Sequence, residues 1–331
     1  MKTSTELIND FTDRFATFAV SATVAILRVL PFTIVLTLFN ILIRIIFFVM
    51  PKYRKVAGKN LALAFPELSQ EQRNKIYKDS LFSLARCFAD SVRAPFVTKK
   101  WAKEHIQFPN EEDLLKLKED SAGNGIMLLT GHLGSFELLG QVFALYNHHI
   151  SFVARDFKLV KLNNWYKSMR ERNGNRSISR IGAYKHIVNH LHSNSIVAIL
   201  FDQNVTRNYA VFADFFGRKA ATTKTIGLVY LKVKPKVALI GFKYTGNGQY
   251  TVIFKEVDFT DIYIDSNLSS KEKVELITHR ANQEYQKIVT SYPQGWFWIH
   301  KRWQATPEGV PEDFYETVEN TPILTTNNEE S

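Results

Sequence analysis

With a single cysteine, Cys87, in 331 residues, the chain has no internal disulfide to rely on, and its fold does not require an oxidising compartment. Charge is nearly absent from one stretch. Between Phe15 and Met50 only Arg28 and Arg44 are charged, and the run from Val29 to Ile43 has no charge at all. At 15 residues that run is shorter than the roughly 20 needed to cross a bilayer core. No short charged start leads directly into it and no small-residue cleavage site follows, which argues against a cleavable signal peptide. No internal repeat is visible. Acidic side chains are scarce between Arg155 and Lys185, where Asp156 and Glu171 face Arg155, Lys158, Lys161, Lys167, Arg170, Arg172, Arg176, Arg180 and Lys185. Most of the formal charge of +10 therefore lies in this segment. Such a surface attracts polyanions, whether phosphorylated lipid heads, an acidic carrier protein or nucleic acid, and charge alone does not choose among them.

The chain is 45% apolar and 22% charged, enough to bury one large core or a core with a small appendage. If Arg28 and Arg44 snorkel to the interfaces, the N-terminal apolar run lengthens toward a membrane span with Pro31 in its first turn. Lys52, Arg54, Lys55 and Lys59 follow it and put the next domain on the cytoplasmic side. The alternative is a buried helix of a soluble core. Residues 1–50 are expected to form a membrane anchor, 51–108 a helical connector, 109–304 an α/β domain, and 305–331 a polar, partly disordered tail.

Past the anchor, Ser69 and Gln72 have capping-box spacing, followed by a stripe of Tyr77, Leu81, Leu84, Phe88 and Val92 that Pro95 ends. Asn110 caps a short helix through Leu114 and Leu117. The pattern then alternates short β-type runs with amphipathic stretches, the rhythm of a single central sheet flanked by helices. Strands are expected at Ile126 to Thr130, Ile150 to Arg155, Ile196 to Phe201, Val237 to Phe242 and Tyr250 to Val257. Helices are expected at Phe136 to Tyr146, Leu159 to Arg172, Tyr184 to His192, Thr223 to Leu231 and Lys271 to Tyr292.

The segment Gly131-His132-Leu133-Gly134-Ser135-Phe136-Glu137 concentrates the chemistry. An apolar strand delivers His132 to a glycine turn just before a helix, the carboxyl end of a strand where open sheets bind ligands. In one regular helix, five residues separate two side chains by about 140°. The glycine turn removes that obstacle and lets the Glu137 carboxylate fold back on the imidazole. A carboxylate on one ring nitrogen fixes the tautomer, and the other nitrogen then accepts a proton from a hydroxyl. The plain alternative is a helix-start histidine beside a solvated glutamate.

His132-x4-Glu137 resembles the signature of the bacterial lipid A biosynthesis acyltransferases, within the wider glycerolipid acyltransferase superfamily. Further blocks are similar and in order: Asn60-Leu61 with Phe65-Pro66-Glu67; Arg155; Asp202-Gln203; Phe215-Phe216-Gly217-Arg218 with Ala220-Ala221-Thr222-Thr223; and Tyr292 to Trp303, which holds Trp296, Trp298, His300 and Arg302. The likeness covers roughly residues 20 to 305. Asp156 stands where proline is usual after Arg155, Gly295 adds a residue before Trp296, and Gly134-Ser135 departs from the commonest first motif. The resemblance implies an inner-membrane enzyme that moves a fatty acyl chain from an acyl carrier protein or coenzyme A thioester to a hydroxyl of a lipid A precursor, with no cofactor and no nucleic-acid partner. His132 is then the base and Glu137 its orienting group.

Acceptor or donor contacts are expected from Arg155, Asp202, Gln203, Arg218, Gly134 and Ser135. Backbone N–H groups near Gly134, together with Arg155, are candidates for the carbonyl oxygen of the thioester. Asp202 orients an arginine or a substrate hydroxyl, or is simply a turn aspartate. Arg218 and Thr223 suit a phosphate at a helix start, or are a loop arginine and an N-cap. The tryptophans suit core packing, and indoles also suit a membrane surface. His148, His149, His186, His190 and His192 lack a nearby cysteine or carboxylate to complete a tetrahedral set, so no metal is expected. Acylation of another phosphoglycolipid or aminolipid, and a lipid-binding protein on an inactive acyltransferase scaffold, are the competing readings.

Overall fold

The computed structural model describes residues 4–316. Its helices are α1 (Ser4–Val29), α2 (Phe32–Val49), α3 (Pro51–Ala64), α4 (Gln70–Arg93), α5 (Lys99–His105), α6 (Glu111–Glu119), α7 (Phe136–Leu145), α8 (Val160–Glu171), α9 (Ala183–His192), α10 (Thr225–Val233), α11 (Thr260–Ile264) and α12 (Ser270–Ser291). Its strands are β1 (Ile106–Gln107), β2 (Ile126–Thr130), β3 (Ile150–Ala154), β4 (Arg176–Ser179), β5 (Ile196–Leu200), β6 (Ala210–Phe215), β7 (Arg218–Thr223), β8 (Lys236–Gly246) and β9 (Gln249–Glu256).

Seven strands form one sheet in the order β1-β9-β8-β2-β5-β3-β4. From β8 to β4 the strands run parallel, and β9 turns back antiparallel on β8. Helices cover both faces, so the central strands are apolar without alternation: all five residues of β2 are buried, as expected for a parallel strand covered on both sides. The α/β class read from the sequence is the class observed, and each of the five expected strands is present. The β6–β7 hairpin was not anticipated. Its turn uses Phe216 and Gly217, both at positive φ, and lacks the usual Asn-Gly signal of a two-residue hairpin loop. The hairpin packs on α12, where the Phe216 N–H donates to Gln286 Oε1 at 2.6 Å.

Local signals explain the two long helices that frame the site. Ser69 and Gln72 form a reciprocal capping box at the start of α4, and Ser269 with Glu272 does the same for α12, pairing helix N–H groups that would otherwise lack partners. At the N-terminus, Pro31 separates α1 from α2. The 18-residue helix α2 has a mean hydropathy of 2.5 and only 17% of it is buried. It spans about 27 Å and is the candidate membrane anchor. Ile34, Leu38, Ile41, Leu42, Ile45 and Phe48 all point outward. In water each would forgo on the order of 1 kcal/mol of burial energy, a penalty that lipid removes.

Helix α1 lies along α8. The buried Asp13 carboxylate accepts the Lys161 N–H at 2.7 Å and the Leu162 N–H at 3.1 Å, and Asp10 pairs with the Lys161 ammonium. An aspartate from another helix thus supplies the cap that α8's own N-terminal residue does not provide. Of the polar tail expected from Ala305 onward, Ala305, Thr306 and Tyr315 are buried while residues 308–313 are exposed. Tyr315 is buried and donates to Asn60 Oδ1 at 2.7 Å, while Asn60 Nδ2 donates to the carbonyls of Trp298 and His300. Residues 317–331 of that expected tail lie outside the described residues.

Candidate active site

Strands β2 and β5 are parallel neighbours with Thr130 opposite Leu200. His132 and Asp202 each lie two residues beyond those strand ends, so the register brings them together. The Asp202 carboxylate is 2.8 Å from His132 Nδ1 and accepts the His132 backbone N–H at 2.7 Å. Trp296 Nε1 donates to the same carboxylate at 2.9 Å, and the Tyr285 hydroxyl lies 3.4 Å away. Gly131 is required by space: a Cβ there would lie 2.1 Å from the Tyr285 hydroxyl and 2.5 Å from Asp202 Oδ2. Gly134 is required by conformation and space together, with φ +62° and a virtual Cβ 1.9 Å from the Phe242 carbonyl.

The carboxylate on the imidazole is therefore Asp202, in place of the Glu137 expected from spacing. Glu137, in the first turn of α7, faces the other way, into α8. It pairs through both oxygens with the Arg170 guanidinium and accepts from the Tyr166 hydroxyl at 3.2 Å. A buried Asp202 would ordinarily be driven up in pKa by desolvation, but His132 and its hydrogen bonds bring it down to about 2. For His132, burial acts to lower the pKa and is outweighed by the charge and hydrogen bond of Asp202, with a further contribution from Glu137, so the net shift is upward. With Nδ1–H given to Asp202, Nε2 is left as the acceptor. The Gln203 amide donates to it at 3.2 Å.

Other expected contacts fall in different places. The Gly134 N–H is taken by the Gly295 carbonyl at 2.9 Å, so it is not available to a substrate oxygen. Ser135 is buried and donates to Asp90 at 2.5 Å beneath the loop. Desolvation raises the Asp90 carboxyl despite bonds from Ser135 and Tyr250. Arg218 opens β7, stacks its guanidinium 4.3 Å from the Phe314 ring and lines neither of the two cavities at the site. Arg155 is exposed on the wall of the more polar one. The tryptophans are core residues and do not form a membrane surface: Trp296, Trp298 and Trp303 are 2%, 1% and 0% exposed. Burial holds His300 down to about pKa 4, so its neutral Nε2 accepts the Asn204 N–H at 2.9 Å and fixes the loop after Asp202. Arg302, fully buried, donates to the Ala221 carbonyl at 2.7 Å and to Thr222 Oγ1 at 2.6 Å.

These two cavities meet at His132. One, of about 530 Å³, is lined mainly by apolar side chains including Val20, Val24, Phe39, Leu84, Phe88, Val92, Phe96 and Met169. The other, of about 1120 Å³, is more polar and includes Arg155, Arg180, Asn175, Tyr184, Asn204 and Thr206. His132, Phe136, Glu137, Tyr166, Arg170 and Gln203 line both. Volumes of this size suit bound small molecules or chains. Arg170 and Tyr166 carry no local signal in the sequence that marks them as site residues. Arg170 is visible there only as one of nine basic residues, and its partner is 33 positions away.

A carboxylate-held imidazole stands at the junction of a greasy cavity and a polar one, with Val20, Val24 and Phe39 of the N-terminal helices on the greasy wall, an arrangement that suits an enzyme working on an amphipathic substrate. The chain belongs to the bacterial lipid A biosynthesis acyltransferase family, whose model matches residues 3–305, and it is an acyltransferase. It is 24% identical over 270 residues to a lipid A biosynthesis acyltransferase of Haemophilus influenzae, covering 79% of this chain and 80% of that protein. It is likewise similar to two Escherichia coli proteins: the lipid A biosynthesis palmitoleoyltransferase, at 24% identity over 78% of this chain and 81% of that one, and the lipid A biosynthesis lauroyltransferase, at 22% over 80% and 83%.

Proposed function

We propose that the protein transfers a fatty acyl chain from the thioester of an acyl carrier protein or coenzyme A to a hydroxyl of a lipid A precursor, at the cytoplasmic face of the inner membrane. The observation that carries the chemistry is the His132–Asp202 pair at the meeting point of the two cavities. The acyl chain occupies the apolar cavity and the acceptor's head group the polar one. Neutral His132 takes the hydroxyl proton on Nε2 while Asp202 stabilises the imidazolium that forms. The acceptor oxygen bonds to the thioester carbonyl carbon, the carbon–sulfur bond breaks, and the proton passes from Nε2 to the departing sulfur.

Glu137 acts through Arg170. The pair keeps a cation on the wall shared by both cavities, where negative charge grows on the carbonyl oxygen. No cofactor enters these steps. The test is transfer by membranes from a deletion strain carrying either the wild-type protein or His132→Ala, with the lipids read by mass spectrometry. The wild type is expected to restore one secondary acyl chain and the variant none. Normal transfer by the variant would dispose of the mechanism.

A further inference from the structure

The polar cavity carries a charge imbalance that the transfer chemistry does not use. Its charged lining residues are Arg155, Arg170, Arg180 and Glu137. Arg170 is already paired with Glu137. Among the described residues, neither the Arg155 nor the Arg180 side chain has an acidic partner or a hydrogen-bond acceptor. Asp156, next to Arg155 in sequence, bonds instead to Ser179 and Asn163.

The two arginines are neighbours by construction. Strands β3 and β4 are parallel with Ala154 opposite Ser179, and the Arg180 N–H donates to the Ala154 carbonyl at 3.1 Å. Arg155 and Arg180 are the first residues past the ends of the two strands, and both line the polar cavity. They leave the carboxyl ends of adjacent parallel strands, where ligands of open α/β sheets bind. Two arginines on one cavity wall, neither of them ion-paired among the described residues, supply enough charge and enough donors for the oxygens of a group carrying about two negative charges.

We propose that Arg155 and Arg180 form a binding site for a phosphomonoester, which seats the phosphorylated ligand in the polar cavity while its reacting group lies at His132. The inference rests on the proposed acyl transfer. The shared ligand chemistry is phosphate, and it has two sources: the head group of the acceptor, or the phosphate-bearing arm of the acyl donor.

The test uses the full-length protein in detergent, an acyl-coenzyme A donor, and a glycolipid acceptor with its phosphomonoester intact or removed by phosphatase. Arg155→Gln, Arg180→Gln and the double variant are compared with the wild type. Each single change is expected to raise the KM of the phosphorylated ligand roughly tenfold, and the double change roughly a hundredfold, the scale of losing one and two charge-assisted contacts. A rise in acceptor KM alone, with the preference for the phosphorylated acceptor collapsing, assigns the site to the head group. A rise in donor KM alone assigns it to the donor arm. KM values unchanged for both substrates in the double variant overturn the site. Titration of the wild-type protein with inorganic pyrophosphate decides independently of any variant: binding at millimolar concentration that competes with the phosphorylated substrate is expected, and its absence overturns the site. Wild-type protein that binds pyrophosphate yet transfers to neither acceptor would instead overturn the transfer reading and leave the phosphate site standing.

Discussion

Replacing Asp202 by asparagine keeps the shape of the side chain and removes one negative charge, and the hydrogen bonds around it dictate the outcome. One carboxylate oxygen now accepts the His132 N–H at 2.7 Å and Trp296 Nε1 at 2.9 Å, while the other faces His132 Nδ1 at 2.8 Å. An asparagine has only one oxygen. Placing it toward the first pair satisfies two buried donors and aims the amide NH2 at Nδ1, which must then give up its proton and accept. The ring hydrogen moves to Nε2, the atom meant to take the proton of the hydroxyl. Turning the amide over restores the productive tautomer but strands both donors, at about 1–3 kcal/mol each. Loss of the charge that stabilises the imidazolium adds to this. Together they predict a fall in kcat of roughly a thousandfold or more, with little change in KM. Steady-state transfer with purified protein measures the rate, and the nitrogen-15 shifts of His132 report the tautomer. An Asp202→Asn protein within tenfold of wild-type kcat, its His132 still protonated on Nδ1, would refute the assignment of the orienting carboxylate.

Glu137→Gln should leave the His132 tautomer as in the wild type, because no hydrogen bond joins the two side chains; transfer should still fall, and stability should drop by about 2 kcal/mol from the half-lost ion pair with Arg170, read by urea unfolding. The rate at limiting substrate should rise with pH as His132 loses its proton, with a midpoint above 6.5 because the folded pKa is raised, and Asp202→Asn should move that midpoint down. The depressed pKa of Asp202, about 2 against 3.8, contributes stability on the order of 2 kcal/mol above pH 4, lost as pH falls from about 4 toward 2; denaturation at pH 5 and pH 3 should show this in the wild type and not in Asp202→Asn. Gly134→Ala combines a left-handed backbone with a clash against the Phe242 carbonyl and should abolish transfer while destabilising the fold by more than about 1 kcal/mol, as thermal melting will show.

The strand, glycine turn and helix around His132 are legible because each is a local pattern: an unbroken apolar run, a residue free to take positive φ, and an apolar stripe after it. The orienting carboxylate is not legible in this way. Glu137 is five positions from His132 and invites pairing, whereas Asp202 is seventy away and meets it only because β2 and β5 are adjacent, parallel and in register. Strand adjacency is a property of the whole sheet, and a single sequence does not encode it locally. The same holds for Arg180, which becomes a neighbour of Arg155 only through the β3–β4 pairing. Arg218 shows the converse: a basic residue beside a glycine reads equally as an anion site or a loop arginine, and only the strand it begins shows that it lies over Phe314.

The cap that Asp13 gives to α8 has a practical consequence for anyone trimming this protein. Cutting away the first thirty residues to shorten the chain would remove Val20 and Val24 from the apolar cavity and leave two N–H groups at the head of α8 without their acceptor. Because no residue of α8 is fully buried, its first turn depends on that cap, and the contacts of Tyr166 and Arg170 with Glu137 and of the Arg170 carbonyl with Gln141 would still hold its later turns. A fragment that folds yet turns over slowly would therefore say nothing against His132. It would report that the first helix is also part of the wall of the apolar cavity.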